Sequence, residues 1–269
     1  MKIGKNTTPN SAICAANEHT IVVHGMDLCQ DLIGQANFAD YFYFLLTGKK
    51  ADATVSAVLN ACLVAIAEHG LVPSVQAARM TMAAAPDALQ GAVAAGILGC
   101  GSVILGASET AGRMFLEIDA ESTRHGGDLT AAAKAVVSAR RAARQSIPGY
   151  GHPIHKSRDP RVDALFRVLT QSGGNQRFVD IAVAVEAVSP GIVDKELKLN
   201  VSAAIPAVLL GVGFPVNALK GVPMLARTAS LIAHLSEEQV NPIGFALSNE
   251  AANNYQYTGS VPEGFVPSH

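Results

Sequence analysis

Residues 148–161 read PGYGHPIHKSRDPR and bring His152 and His155 together with Lys156, Arg158 and Arg161. An imidazole beside clustered cations can move a proton while an anionic substrate is held in place. Gly149 and Gly151 free the backbone to approach a ligand closely, and Pro148 and Pro153 stiffen the loop that presents His152. Asp159 and Pro160 have the form of a helix cap and first helical residue, and a helix N-terminus there would itself favour an anion. Taken alone, the spacing fits a solvated turn with ordinary surface charges equally well.

Two further residues invite the same question. His69, in AIAEHGLVPS, closes an apolar helical pattern, where a histidine commonly serves the helix dipole. Arg227, in MLARTASLIAHL, is an isolated cation in an aliphatic helix. Burying it is costly unless a carboxylate meets it, so it is either an edge-facing residue or a carboxylate clamp.

The elements that must position these side chains are nearly all helical. Residues 54–67 place Val55, Val58, Leu59, Cys62, Leu63 and Ile66 at three-and-four spacing after a cap at Asp52, which delivers His69 at the C-terminal end. Further helices are expected over 88–105, 108–116, 129–144, 160–170, 177–188, 201–210 and 224–235. Residues 19–25, HTIVVHG, predict a short strand, so the fold class is all-α with a minor N-terminal strand or hairpin. Polar joints are expected at 117–128, 146–160 and 170–177, and they suggest a smaller subdomain between about 110 and 205. The tail beyond about residue 250 has little helical period and is expected to drape over a neighbour or remain mobile.

Composition narrows the function classes. Of 269 residues, 49% are hydrophobic and 16% charged, with 5% aromatic and no Trp, so the core is aliphatic and the charge-poor surface suits burial against a partner. A formal net charge of -2 provides no field to draw in nucleic acid or an anionic membrane. The four cysteines, Cys14, Cys29, Cys62 and Cys100, form no CxxC pair or zinc-like cluster, so no metal is expected and buried free thiols in a reducing cytoplasm are. The N-terminus MKIGKNTTPNS has no apolar run of a signal peptide. Residues 91–107, GAVAAGILGCGSVILGA, are uncharged, but their five glycines and short length predict a helix buried in protein and no membrane span.

The order of blocks carries a resemblance. AEHG, a glycine-rich apolar helix, PGYGHPIHKSRDPR, LNVSAA and ARTASLIAH, preceded by HTIVVHGMDLCQDLIG and FYFLLTG, resemble the citrate synthase superfamily, particularly its short members similar to the citryl-CoA lyase module of ATP-citrate lyase. The likeness runs over most of the chain, and GYGH followed by DPR is its most specific element. It implies a citrate synthase-like fold with a large dimer-forming domain (1–110 and 206–269) and a small CoA-facing domain (111–205). It also implies a homodimer or higher homo-oligomer, with the 91–107 helix at a subunit interface.

By the same resemblance His69 and His152 are the catalytic histidines, Arg161 and Arg227 bind the substrate carboxylate, and Gly149, Tyr150, Gly151, Lys156 and Arg158 meet coenzyme A. The CoA thioester is substrate or product, and no permanently bound cofactor is implied. Three positions depart from the family pattern. Ile104 stands where citrate synthases carry a histidine that citryl-CoA lyase modules also lack, which favours the lyase branch; Ser202 stands where NVD supplies an aspartate; and Phe245 falls near an arginine donated across the dimer. The expectation is a CoA-dependent carbon–carbon lyase acting on citryl-CoA or a related 3-hydroxyacyl-CoA. The alternatives are a condensing acyltransferase with a displaced base and a noncatalytic acyl-CoA-binding relative. Glu109, His155, Asp194 or water would protonate the enolate.

Overall fold

The computed structural model describes residues 9–101, 105–151 and 158–266. It opens with a small antiparallel meander of β1 (Cys14–Ala16), β2 (Ile21–Val23) and β3 (Met26–Asp27), in which Cys14 lies opposite Val23 and Val22 opposite Asp27. The expected strand at 19–25 ends at Val23 because His24 and Gly25 both take positive φ, at 45° and 83°, and form the two-residue turn into β3.

Twelve helices follow among the described residues. They are α1 (Phe38–Thr47), α2 (Ala53–Ala67), α3 (Pro73–Ala84), α4 (Leu89–Leu98), α5 (Ala107–Arg124), α6 (Leu129–Ala142), α7 (Pro160–Gln171), α8 (Arg177–Val188), α9 (Pro190–Val193), α10 (Val201–Gly211), α11 (Gly221–Val240) and α12 (Gly244–Asn254). The all-α class and the N-terminal hairpin are as the sequence predicts. Local chemistry sets several ends. Asp52 caps α2 by accepting the Val55 N–H at 2.8 Å, and Asp159 caps α7 with Pro160 behind it in the first turn.

Some expectations need correction. The polar run at 117–124 is not a joint but the last two turns of α5, whose Ile118 and Ser122 point inward while Glu117 and Glu121 stay on its outer side. The 88–105 helix ends at Leu98, and Leu98 itself is 86% exposed, so the glycine-rich segment is only partly buried in this chain. No helix among the described residues is long and apolar enough to cross a membrane. All four cysteines are free, but only Cys62 and Cys100 are buried; Cys14 and Cys29 are exposed. Beyond Asn254 the described residues form an exposed, non-helical tail.

The main core surrounds α10, whose Val201, Ala203–Leu209 run is almost entirely buried against α2, α5, α7 and α8. A second core joins α3, α4 and α11 through Val75, Ala78, Met82, Ala92, Leu231 and Leu235. Gly96 permits the close approach of α4, since a Cβ there would lie 2.7 Å from Leu231 Cδ1 and 2.9 Å from the Ser74 carbonyl. Arg79 on α3 is buried and donates to Glu238 at 2.6 Å, Glu237 at 2.7 Å and the Asn241 carbonyl at 3.0 Å. Glu238 also accepts the Ile243 and Gly244 N–H groups, so one ion pair ties α3, α11 and the start of α12 together.

Candidate functional site

The glycine loop is held against the N-terminus of α10. Gly149 (φ 84°) and Gly151 (φ 85°) lie in the left-handed region, and a Cβ on Gly149 would sit 2.4 Å from Ala203 Cβ. The Gly149 carbonyl accepts the Asn200 N–H at 3.0 Å, Gly151 N–H donates to the Lys198 carbonyl at 2.7 Å, and Asn200 Nδ2 donates to the Gly151 carbonyl at 2.6 Å. Tyr150 points inward, its hydroxyl donating to the Ala182 carbonyl of α8 at 2.8 Å. Its phenol is pushed up by burial and by Glu186, and the buried side chain is committed to the α8 contact. Gly149→Ala is expected to cost about 2–4 kcal/mol and to displace the loop, read as a lower denaturant midpoint.

Asp159, 1% exposed, is the knot behind this loop. Its Oδ1 accepts the Arg161 N–H and Nε at 3.0 Å, and its Oδ2 accepts Arg161 Nη2 at 2.8 Å and the Val201 N–H at 3.2 Å. Burial alone would raise its carboxyl, but the Arg161 hydrogen bonds and charge outweigh burial and hold it below the usual range. One carboxylate thus caps α7, helps to cap α10 and fixes the Arg161 guanidinium, whose Nη1 donates to the Ala65 carbonyl of α2 at 3.3 Å. Arg158 is likewise committed, to Glu186 at 2.5 Å and Asp163 at 3.2 Å, and Glu186 accepts the Leu199 N–H.

Where α2 ends, Glu68 fastens the His69 turn to α11. Its Oε1 accepts the His69 N–H at 2.9 Å and the Gly70 N–H at 2.5 Å; its Oε2 accepts Ser230 Oγ at 2.5 Å and lies 3.0 Å from His234 Nε2. Arg227, Ser230 and His234 share one face of α11 at i, i+3 and i+7, so Arg227 stands one turn from the Glu68 contact. Arg227 is 3% exposed, yet it makes no hydrogen bond to a described residue, and its Nε and Nη1 are fully shielded. A desolvated guanidinium in that state calls for an anion.

Burial would raise Glu68, but the Ser230, Gly70 and His234 contacts bring it down to about 2. That makes Glu68 a poor general base near neutrality. It also sets a pH dependence. A carboxylate depressed from 4.5 to about 2 contributes stability that is fully present above pH 4.5 and is lost as pH falls toward 2. The melting temperature of Glu68→Gln should therefore fall less than that of the wild type across this window in a pH series of thermal melts.

The remaining sequence-derived positions scatter. His152, His155, Lys156 and Ile104 lie outside the described residues. Ser202 sits in the first turn of α10, its N–H taken by the Asn200 side chain at 2.9 Å. Glu109 is paired with Arg113 at 2.7 Å, and Asp194 lies exposed at the end of α9. Phe245 is 68% exposed on α12 and lines an open groove of about 470 Å³ with Met82, Glu238 and Pro242. Along α11 that groove is displaced from Arg227 by the eleven residues to Glu238, about 16 Å of helix. Sequence reading missed Glu68, Ser230 and His234, although the last two repeat Arg227's helical face and Glu68 adjoins His69.

Comparisons with known proteins bear on the fold and the family. The family model "Citrate synthase, C-terminal domain" matches residues 8–244. A citrate synthase from Synechocystis sp. is 29% identical over 214 residues, covering 77% of this chain and 51% of that protein. The chain thus spans about half the length of the curated relatives it matches. Among solved structures, citryl-CoA lyase from Hydrogenobacter thermophilus is similar with a TM-score of 0.83 and 29% identity, covering 96% of this chain and 97% of that one. ATP citrate lyase from Methanothrix soehngenii, in complex with citrate and coenzyme A, shares the fold at a TM-score of 0.77 and 21% identity, over 97% of this chain and 43% of that one. With nearly the whole of its helical body, residues 8–244, under one family model, the chain belongs to the citrate synthase family.

Proposed function

We propose that the protein is a CoA-dependent carbon–carbon lyase resembling citryl-CoA lyase, which cleaves citryl-CoA or a related 3-hydroxyacyl-CoA to acetyl-CoA and an oxo acid. The observation that carries this reading is Arg227, a buried guanidinium with no described partner one turn from the contact that fixes the His69 turn. The whole-length likeness to a citryl-CoA lyase supports the same branch.

In this reading Arg227 binds the carboxylate on the carbinol carbon, with Arg161 beside the end of α2 orienting it. His69 or His152 takes the hydroxyl proton and donates to the incipient carbonyl oxygen as the carbon–carbon bond breaks. The electron pair passes to the thioester as an enolate, which is then protonated to acetyl-CoA. Glu109 is held by Arg113 and Asp194 is exposed, so His155 or water supplies that proton. The backbone of Gly149–Gly151, with Lys156 and Arg158, meets the CoA moiety. The chain divides into a large domain, 1–110 and 206–269, and a small domain, 111–205, and works as a cytoplasmic homodimer.

A condensing acyltransferase is the second reading, favoured by the citrate synthases among its relatives. That chemistry must remove a weakly acidic methyl proton. Ser202 carries no carboxylate for it, and Glu68 near pKa 2 is too weak a base. Incubation with a panel of 3-hydroxyacyl-CoA thioesters tests the proposal. Acetyl-CoA and oxo acid should appear in equal amounts. CoA release from acetyl-CoA plus oxo acid, without cleavage of any thioester, would instead identify a condensing enzyme. Thioester binding with no turnover in either direction would identify a noncatalytic relative.

A further inference from the structure

We infer that the acid half of the substrate carries one carboxylate, so that the product is a 2-oxo monocarboxylate and not a dicarboxylate. This rests on the lyase reading above and deepens it. Arg161 is neutralised by Asp159, whose two oxygens take its Nε and Nη2, and its Nη1 meets Ala65. Arg158 is matched by Glu186 and Asp163. His234, on the Arg227 face of α11, is matched by Glu68, and farther along that helix Arg79 is matched by Glu237 and Glu238.

Arg227 is left as the buried arginine that no described acid compensates. No Lys or Arg follows it in the sequence, so α11 beyond this point, α12 and the tail add no further strong cation from this chain. One guanidinium satisfies one carboxylate through a bidentate pair. Among the described residues no second uncompensated arginine stands with it, so a second carboxylate buried there would compete for cations already matched by acids, and a charge in that position is disfavoured.

A CoA thioester bearing one hydroxyl, one carboxylate and a hydrogen or methyl group on its third carbon loses the hydroxyl proton to an imidazole. The bond between that carbon and the thioester's second carbon breaks, and the hydroxyl oxygen becomes the ketone or aldehyde of the oxo acid. The electron pair on the thioester carbon takes up a proton and gives acetyl-CoA. No oxidant or reductant is involved.

Two measurements on the wild-type protein test the inference. In the first, kcat/KM is compared between citryl-CoA and the thioester in which its carboxymethyl group is replaced by methyl. The single-carboxylate thioester should be preferred by roughly 30-fold or more. Equal or better cleavage of citryl-CoA overturns the inference and leaves the lyase reading standing. In the second, pyruvate and oxaloacetate are titrated by calorimetry into the protein with CoA present. Tighter pyruvate binding, lost in Arg227→Gln, is expected; tighter or equal oxaloacetate binding overturns the inference. Selective pyruvate binding with no thioester cleaved upholds the one-carboxylate site while removing the lyase reading, and binding of neither acid removes this inference whatever the turnover.

Discussion

Arg227→Met should cripple turnover while making the unliganded protein more stable. The guanidinium is 3% exposed and meets no described acid, so the free protein carries the cost of a desolvated charge with nothing to offset it. Methionine fills a similar volume without that charge. Replacement is expected to raise the melting temperature by a few degrees, equivalent to about 1–3 kcal/mol. With substrate the sign reverses. Losing a buried bidentate contact to a carboxylate costs about 2–5 kcal/mol, so kcat/KM should fall about 30- to 1,000-fold or more. A merely structural arginine would show the opposite pair of effects, lower stability with activity retained. Thermal melts and steady-state kinetics on the same preparation separate the two.

Arg79→Ala should be the most damaging single change to stability. Here the charge is compensated on every side, by Glu238, Glu237 and the Asn241 carbonyl, and Glu238 in turn accepts the N–H groups that start α12. Glu238 is held below its usual value because the Arg79 contact and those N–H bonds outweigh its burial. Removing one partner leaves the other buried and uncompensated, a loss of about 3–5 kcal/mol. For a chain of this size that is a fall of roughly 5–10 °C in melting temperature. Because Arg79 lies off the His69 and Arg227 site, the substrate KM of the folded fraction should stay near the wild-type value at a temperature well below its melt.

These two arginines mark the limit of what the sequence shows. Both sit in aliphatic helices, and nothing local separates the one that meets an internal glutamate pair from the one left without a partner. The difference arises from residues about 160 positions away, on a helix that folds back beside α3. Elements with strong local signals were legible: Asp52 and Asp159 as caps, α8 at both ends, and the glycine loop with its positive φ angles. Four helices were missed: α1 is apolar nearly all round, α3 begins on a proline after an uncapped valine, α9 is a single turn, and α12 is built largely of small and polar residues.

The candidate site divides in the same way. His69, Arg161 and Arg227 were recognisable by type and order, and the structure brings Arg161 and the Glu68 clamp to the end of α2. The commitment of Arg161 to Asp159 and of Tyr150 to Ala182 was not legible, because each is a contact whose geometry depends on how α7, α8 and α10 pack. Glu68 was overlooked for a different reason. An exposed glutamate beside a histidine is ordinary in sequence, and only the approach of α11 turns it into an acceptor for four donors.

The central claim, cleavage of a carbon–carbon bond next to a thioester, is tested most directly by turnover in deuterium oxide with mass analysis of the products. Retro-aldol cleavage through an enolate places one solvent deuteron in the methyl group of acetyl-CoA and releases the oxo acid in equal amount. Formation of free CoA and intact hydroxy acid, or acetyl-CoA without deuterium, would contradict the account.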